Sequence, residues 1–140
     1  MKRDLEKYIK KINFDKQYKK LIKKYKNKKI VIYGAGQLFQ LIYSKYDLTQ
    51  LNIVGICDRS FDKNSEEQEF MGYKKIFINE LYLCDADMIL VATLEYLGLI
   101  EHLEKNIFKN KKIEIRPLAY MPLKMFLKEV FFGPDKDDLI

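Results

Sequence analysis

Leu5, Tyr8, Ile9 and Ile12, then Tyr18, Leu21, Ile22 and Tyr25, recur at three- and four-residue steps with lysines between them. This is the period of an amphipathic helix. Asn13-Phe14-Asp15 interrupts the pattern, and Asp15 is placed to N-cap a second helix from Lys16 to about Lys26, so one bent helix or two short ones are expected. From Lys29 the period changes. Lys29-Ile30-Val31-Ile32-Tyr33 is a short run, apolar and largely β-branched after Lys29 and stopped by Gly34, which suits a parallel strand covered on both faces. Gln37 to Tyr46 reads as a helix with Leu38, Leu41, Ile42 and Tyr46 inward, and Asn52 to Cys57 as a second buried strand ending at Asp58. Asp62 to Gly72 is polar and reads as an exposed loop. Lys74 to Phe77 is a short third strand, and Asn79 is placed to cap a helical turn through Leu83. Asp87 to Ala92 is a clear fourth strand, followed by a helix over about Tyr96 to Phe108. Lys112 to Arg116 is a fifth strand stopped by Pro117, and Met121 to Phe132 a last helix.

Strands alternating with helices at these spacings predict an α/β protein with a parallel sheet and right-handed crossovers. Five strands in the order 3-2-1-4-5 are expected, a doubly wound arrangement. The chain divides into a Lys-rich amphipathic helical segment packed on the domain (1–28), the α/β domain (29–132) and an acidic, flexible tail (133–140).

A chain of 140 residues can bury a core without disulfides or metals. Cys57 and Cys84 lack the paired spacing of a zinc or redox site and read as small core residues. No apolar run approaches the roughly 20 residues of a membrane span, and no apolar stretch follows the N-terminal charges as in a signal peptide. A cytoplasmic location is expected, with attachment to the inner face of a membrane as a variant. The net charge of +6 is unevenly placed: residues 1–29 hold 13 Lys/Arg against 3 Asp/Glu, a balance of +10, whereas residues 30–140 carry −4. Missing tryptophan and unclustered arginines argue against specific nucleic-acid readout.

In an open parallel sheet, ligands sit beyond the carboxyl ends of the strands where the strand order reverses. For this order that point lies beside the first and fourth strands, next to Gly34-Ala35-Gly36-Gln37, Asp58-Arg59 and Thr93-Leu94-Glu95. A glycine turn opening a helix aims backbone N–H groups and the positive end of the helix dipole at one spot, which suits a phosphate. Gly34 permits the tight turn and Gly36 lets a ligand approach without a Cβ in the way. Asp58, 22 residues after Gly36, stands where a carboxylate takes ribose hydroxyls, with an N-cap or surface-turn role as the alternative. Arg59 is a candidate phosphate contact near the ribose or else a solvated arginine, and Thr93 either flanks the ligand from the other side or caps the following helix. In the G-x-G-x-x-G/A fingerprint the third small position falls on Phe39. Its ring should push the helix outward or turn into the core, which favours a mononucleotide or a nucleotide-sugar in a looser pose over a tightly held dinucleotide.

No catalytic set is evident. Tyr120 and Lys124 match a Tyr-x-x-x-Lys spacing, but Pro122 between them forces a helix start there. His102 reads as an exposed helix residue beside Glu101 and Glu104, and no metal-ligating cluster is present. The chain is therefore read as leaning away from an enzyme that acts alone.

At Ile30 to Gly36, Val54 to Asp58, Gly72-Tyr73 and Asp87 to Thr93, roughly residues 28–118, the chain resembles a Rossmann-like domain. That domain precedes the catalytic part of polysaccharide-biosynthesis nucleotide-sugar dehydratases and epimerases, and similar modules precede acetyltransferases acting on amino-sugar nucleotides. The resemblance implies a nucleotide or nucleotide-sugar at Gly34, Gly36 and Asp58, with NAD(P) among the candidate cofactors. It also implies a role in surface-polysaccharide or glycan precursor synthesis, which the turn, Asp58 and the missing catalytic set make an accessory or regulatory one, beside a glycan-biosynthesis enzyme partner. Two alternatives stand: an NAD(P)-dependent sugar-nucleotide oxidoreductase or dehydratase component completed by a partner, and a peripheral protein that meets membrane or RNA through its basic N-terminal helix. Met125, Phe126, Val130 and Phe131 give the last helix an apolar face that could seal the sheet or make a homodimer.

Overall fold

The computed structural model describes residues 2–65 and 67–132, so the expected acidic tail lies outside the described residues. Two helices, α1 (Lys2–Lys11) and α2 (Phe14–Tyr25), precede the strand β1 (Ile30–Tyr33) and helix α3 (Gln37–Lys45). Then follow β2 (Ile53–Cys57), β3 (Glu69–Phe70), β4 (Tyr73–Ile76) and β5 (Met88–Val91). The chain continues through α4 (Tyr96–His102), β6 (Glu114–Pro117) and α5 (Leu123–Phe132). The protein is α/β, with one six-stranded, mostly parallel sheet in the order β3-β4-β2-β1-β5-β6. Central β1 pairs in parallel with β2 and β5, β2 with β4, and β5 with β6.

The sheet has six strands where five were expected. The extra strand, β3, falls in the segment read as a loop and pairs antiparallel with β4, Glu69 facing Lys74 and Phe70 facing Tyr73. Met71 (φ 53°) and Gly72 (φ 87°) form the two-residue connection with both residues left-handed, the conformation that matches the twist of a tight hairpin.

Every residue of β1 is buried, and its alternation divides the core. Ile30 and Ile32, with Ile56, Met88 and Leu90, face Leu5, Ile9 and Ile12 of the first helix and its end, Phe14 and Tyr18 of α2, and Leu38 and Ile42 of α3. Val31 and Tyr33, with Cys57, Ile89 and Val91, face Leu81, Leu103 and Phe108. Helices thus cover both faces.

Several local expectations are corrected. The break between the first helices is Asn13, left-handed at φ 55° and making no side-chain cap; Asp15 lies inside α2 and pairs with Lys19 at 3.0 Å. Asn79 caps nothing: the turn Ile78–Leu83 is 3-10 and follows Phe77, whose carbonyl accepts from Glu80 N at 2.8 Å. The helix expected to run to Phe108 widens after His102 into a π turn, Leu103–Ile107, closed by Phe108 N to Leu103 O at 2.8 Å. An α-helix would put Leu103 and Phe108 on different sides; the wider turn lets both reach the sheet, where both are buried.

Gln17 joins the first helices to the end of the sheet. Its buried amide donates to Ile12 O at 3.0 Å and Tyr120 O at 2.7 Å, and its Oε1 accepts from Tyr120 N at 3.1 Å. Tyr25 Oη adds a bond to Glu114 Oε2 at 2.9 Å, tying the end of α2 to β6.

Candidate functional site

Beyond Tyr33 the chain must leave a fully buried strand and enter α3 within three residues. Gly34 makes this possible twice over. Its φ of +113° is one that side chains rarely adopt, and a Cβ there would stand 3.0 Å from both the Ala92 carbonyl oxygen and Thr93 Cγ2. Its N–H donates to Cys57 O at 2.8 Å, while Ala92 N donates to Tyr33 O at 2.8 Å, so the turn is stitched to β2 and to the end of β5.

Ala35 is held from two sides. Its N–H donates to Asp58 Oδ2 at 2.7 Å, and its carbonyl accepts from Gln40 Nε2 at 3.0 Å. Asp58 Oδ1 accepts from Ser60 N at 2.9 Å and from Ser60 Oγ at 2.7 Å. Burial pushes the Asp58 carboxyl upward, but the Ala35 and Ser60 donors and the Arg59 charge outweigh it and hold its pKa below the usual value. Asp58, expected to serve a ribose or to stand in a surface turn, braces the turn.

Gly36 differs from Gly34. It is exposed, its backbone is ordinary (φ −84°, ψ −159°), and a Cβ would meet no atom of the described residues within 4 Å. Neither conformation nor internal packing demands a glycine there. Gly36 is the N-cap of α3 and makes no side-chain cap, so the first N–H groups of this nine-residue helix open outward beside exposed Gln37. Phe39 resolves its conflict with the fingerprint by turning inward. It is fully buried, 6.2 Å centroid to centroid from Tyr73 and likewise from Tyr43.

Next to the turn lies an open groove of about 1110 Å³. Tyr33, Arg59 and Thr93 line its floor at the carboxyl ends of the strands, with Leu5 and Tyr8 of α1 and Phe126 of α5 among its walls. The Tyr33 hydroxyl and Thr93 Oγ1 are buried and have no hydrogen-bond partner among the described residues. Tyr33 is only 3% exposed. Buried hydroxyls without partners are uncommon, because each has lost its water.

Of the expected residues, Gly34, Ala35, Asp58 and Thr93 come together directly. Arg59 and Thr93 share the groove, whereas Gly34, Ala35, Gly36, Gln37 and Asp58 are not part of its lining. His102 is exposed at its edge and contacts Asn106 through Nδ1 at 3.0 Å. Tyr120 precedes α5, while Lys124 lies within it, so the two do not share a helical face. Sequence reasoning missed Tyr33, Gln40 and Ser60. For Tyr33 the signal was a hydroxyl ending an otherwise apolar strand immediately before a glycine turn. Cys57 is buried among apolar groups, and burial, then Asp58 and Cys84, push its thiol up to about 12. Among the described residues no group of His, Cys, Asp and Glu could hold a metal ion.

Comparisons with family models, with curated proteins and with solved structures find no match to this chain.

Proposed function

We propose that this chain is a Rossmann-like domain, doubly wound about the switch between β1 and β5, that binds a nucleotide-sugar or related nucleotide. In this reading it acts as an accessory or regulatory module in glycan precursor synthesis. The observation that carries the reading is Gly36. A glycine that neither backbone angle nor packing requires, at the open N-terminus of a helix, is explained by a ligand that approaches the backbone closely.

The ligand's phosphate sits against the first N–H groups of α3. Asp58 Oδ2 spends one acceptor position on Ala35 and retains another for a ribose hydroxyl. The rest of the ligand extends into the groove, where the Tyr33 and Thr93 hydroxyls supply partners for a polyhydroxylated group and Arg59 a cation. The inward turn of Phe39 leaves the outer side of the turn free of its ring.

Calorimetric titration of the full chain with UDP-sugars, NAD(H), NADP(H) and CoA tests the proposal. Binding of a UDP-sugar that weakens in Gly36→Ala and Tyr33→Phe is expected. Absence of heat with every ligand at millimolar concentration, or affinity indifferent to both substitutions, would overturn it.

A further inference from the structure

The outer surface of the helical layer formed by α1, α2 and α5 combines an apolar stripe with a band of exposed lysines. Met125 of α5 packs against the same core cluster as Leu5 and Ile9 of α1 and Phe14 and Tyr18 of α2, so all three helices cover one face of the sheet. Lys11 of α1 pairs with Glu129 of α5 at 3.7 Å, and Gln17 of α2 is bonded to Tyr120 on the approach to α5. On the side of α5 opposite Met125 and Glu129 stand Leu123, Leu127, Val130 and Phe131, respectively 72, 43, 61 and 74% exposed. Exposed Lys124 and Lys128 flank this stripe. On α2, Lys16, Lys19, Lys20, Lys23 and Lys24 are all exposed. Of the acids on these helices, Glu6, Asp15 and Glu129 are paired with Lys45, Lys19 and Lys11.

We infer that this surface attaches the protein to an anionic lipid bilayer, the α5 stripe entering the headgroup boundary while the exposed lysines of α2 face lipid phosphates. The attachment differs from that of a free amphipathic helix. The apolar faces of α1 and α2 are consumed by the core, so these helices contribute charge alone and insertion falls to α5. Charge complementarity selects the occupant. Two copies meeting through the stripe would set their lysines against one another, and a nucleic acid would satisfy the lysines while leaving Leu123, Leu127, Val130 and Phe131 in water.

Co-sedimentation of the full chain with phosphatidylcholine vesicles, with and without phosphatidylglycerol, tests the inference. Two variants accompany it: Lys20→Glu with Lys23→Glu and Lys24→Glu, and Leu127→Gln with Phe131→Gln. All five side chains are exposed, and an unchanged thermal midpoint confirms that the fold is kept. Binding should require phosphatidylglycerol, weaken with added salt and fall by roughly tenfold or more in each variant. Equal binding to neutral vesicles, or indifference to either variant, would overturn the inference. So would a dimer, seen by sedimentation velocity, that Leu127→Gln with Phe131→Gln dissolves in a protein that binds no vesicles. RNA binding that needs the lysines but not the stripe, without vesicle binding, would overturn it equally.

Discussion

The Ala35 N–H and the Asp58 carboxylate meet at 2.7 Å, joining the turn after β1 to the residue after β2. The bond makes one carboxylate answer for the shape of the turn as well as for any ligand beside it. Asp58→Ala should therefore lower stability by about 1–3 kcal/mol, since the Ala35 N–H and both Ser60 donors lose their acceptor. The effect should depend on pH in a defined direction. Because the folded pKa of Asp58 is held below its ordinary value, its contribution is complete above that value and disappears as pH falls through it toward the folded pKa. Urea unfolding of both proteins across the acid range checks this: the gap between them should narrow on acidification.

Gly34 and Gly36 should respond oppositely to one methyl group. Gly34→Ala forces a side chain into φ +113° and against Ala92 O, and should destabilise by about 1–3 kcal/mol. Gly36→Ala meets nothing and keeps an ordinary backbone, so stability should stay within about 0.5 kcal/mol while ligand affinity falls. Thermal melts paired with the calorimetric titrations separate the two. If Gly36→Ala melted like Gly34→Ala, Gly36 would be a folding residue and would no longer point to a ligand.

Much of the scaffold was legible because burial leaves a simple trace. Ile30–Tyr33 and Met88–Val91 are buried throughout, and such strands read as continuous apolar runs. The lysine-spaced stripes of α1 and α2 showed as clearly. What escaped were features set by single backbone angles or distant partners. The two-residue strand β3 has too few residues to show alternation, and its Met71-Gly72 turn lacks the Asn-Gly or Asp-Gly signal. The π turn at Leu103 follows from how two core side chains reach the sheet, which no local periodicity encodes. In the site, the glycine turn and Asp58 were readable from spacing. The bond between Asp58 and Ala35, and the partnerless state of the Tyr33 hydroxyl, depend on residues far apart in sequence.

Tyr33→Phe removes a buried hydroxyl that has no partner among the described residues. Most buried hydroxyl deletions destabilise, but here no bond is lost and a desolvated group is relieved. Stability should hold or rise by up to about 1 kcal/mol. Ligand affinity should fall at the same time. Denaturant midpoints show the first effect and titration the second; a marked loss of stability would mean that the hydroxyl is already satisfied, by a bound water for instance.

Alkaline titration probes the helical layer. Burial, then the charges of Asp47 and Tyr73, raise the Tyr18 phenol to about 12, and its hydroxyl donates to Asp47 O at 2.6 Å. Tyr8 is likewise raised to about 12, by burial first and then by Tyr96 and Glu129. A phenol whose folded pKa lies above its unfolded value of 10.0 favours the folded state fully below pH 10 and loses that contribution as pH climbs toward 12. Phenolate absorbance should show these two tyrosines ionising late, together with loss of the fold, rather than in the first alkaline step. Early ionisation of all ten tyrosines with the fold intact would be incompatible with α1 and α2 packed as described.

Gln17 carries the tightest test of how the first helices join the sheet. Its side chain serves Ile12 O, Tyr120 O and Tyr120 N, and the residue is only 7% exposed. Gln17→Leu fills much of the same volume but leaves two carbonyls and one N–H without that partner. With each orphaned group costing about 1–3 kcal/mol, the loss should exceed that of replacing an exposed residue such as Lys20 on the same helix. Because Tyr120 leads into α5 beside the groove, the damage should not stay local. Hydrogen exchange should show the Tyr120 amide and the first turn of α5 opening in Gln17→Leu while β1 keeps its protection. Exchange that rose uniformly over the whole sheet would show instead that α2 and the sheet unfold as one unit.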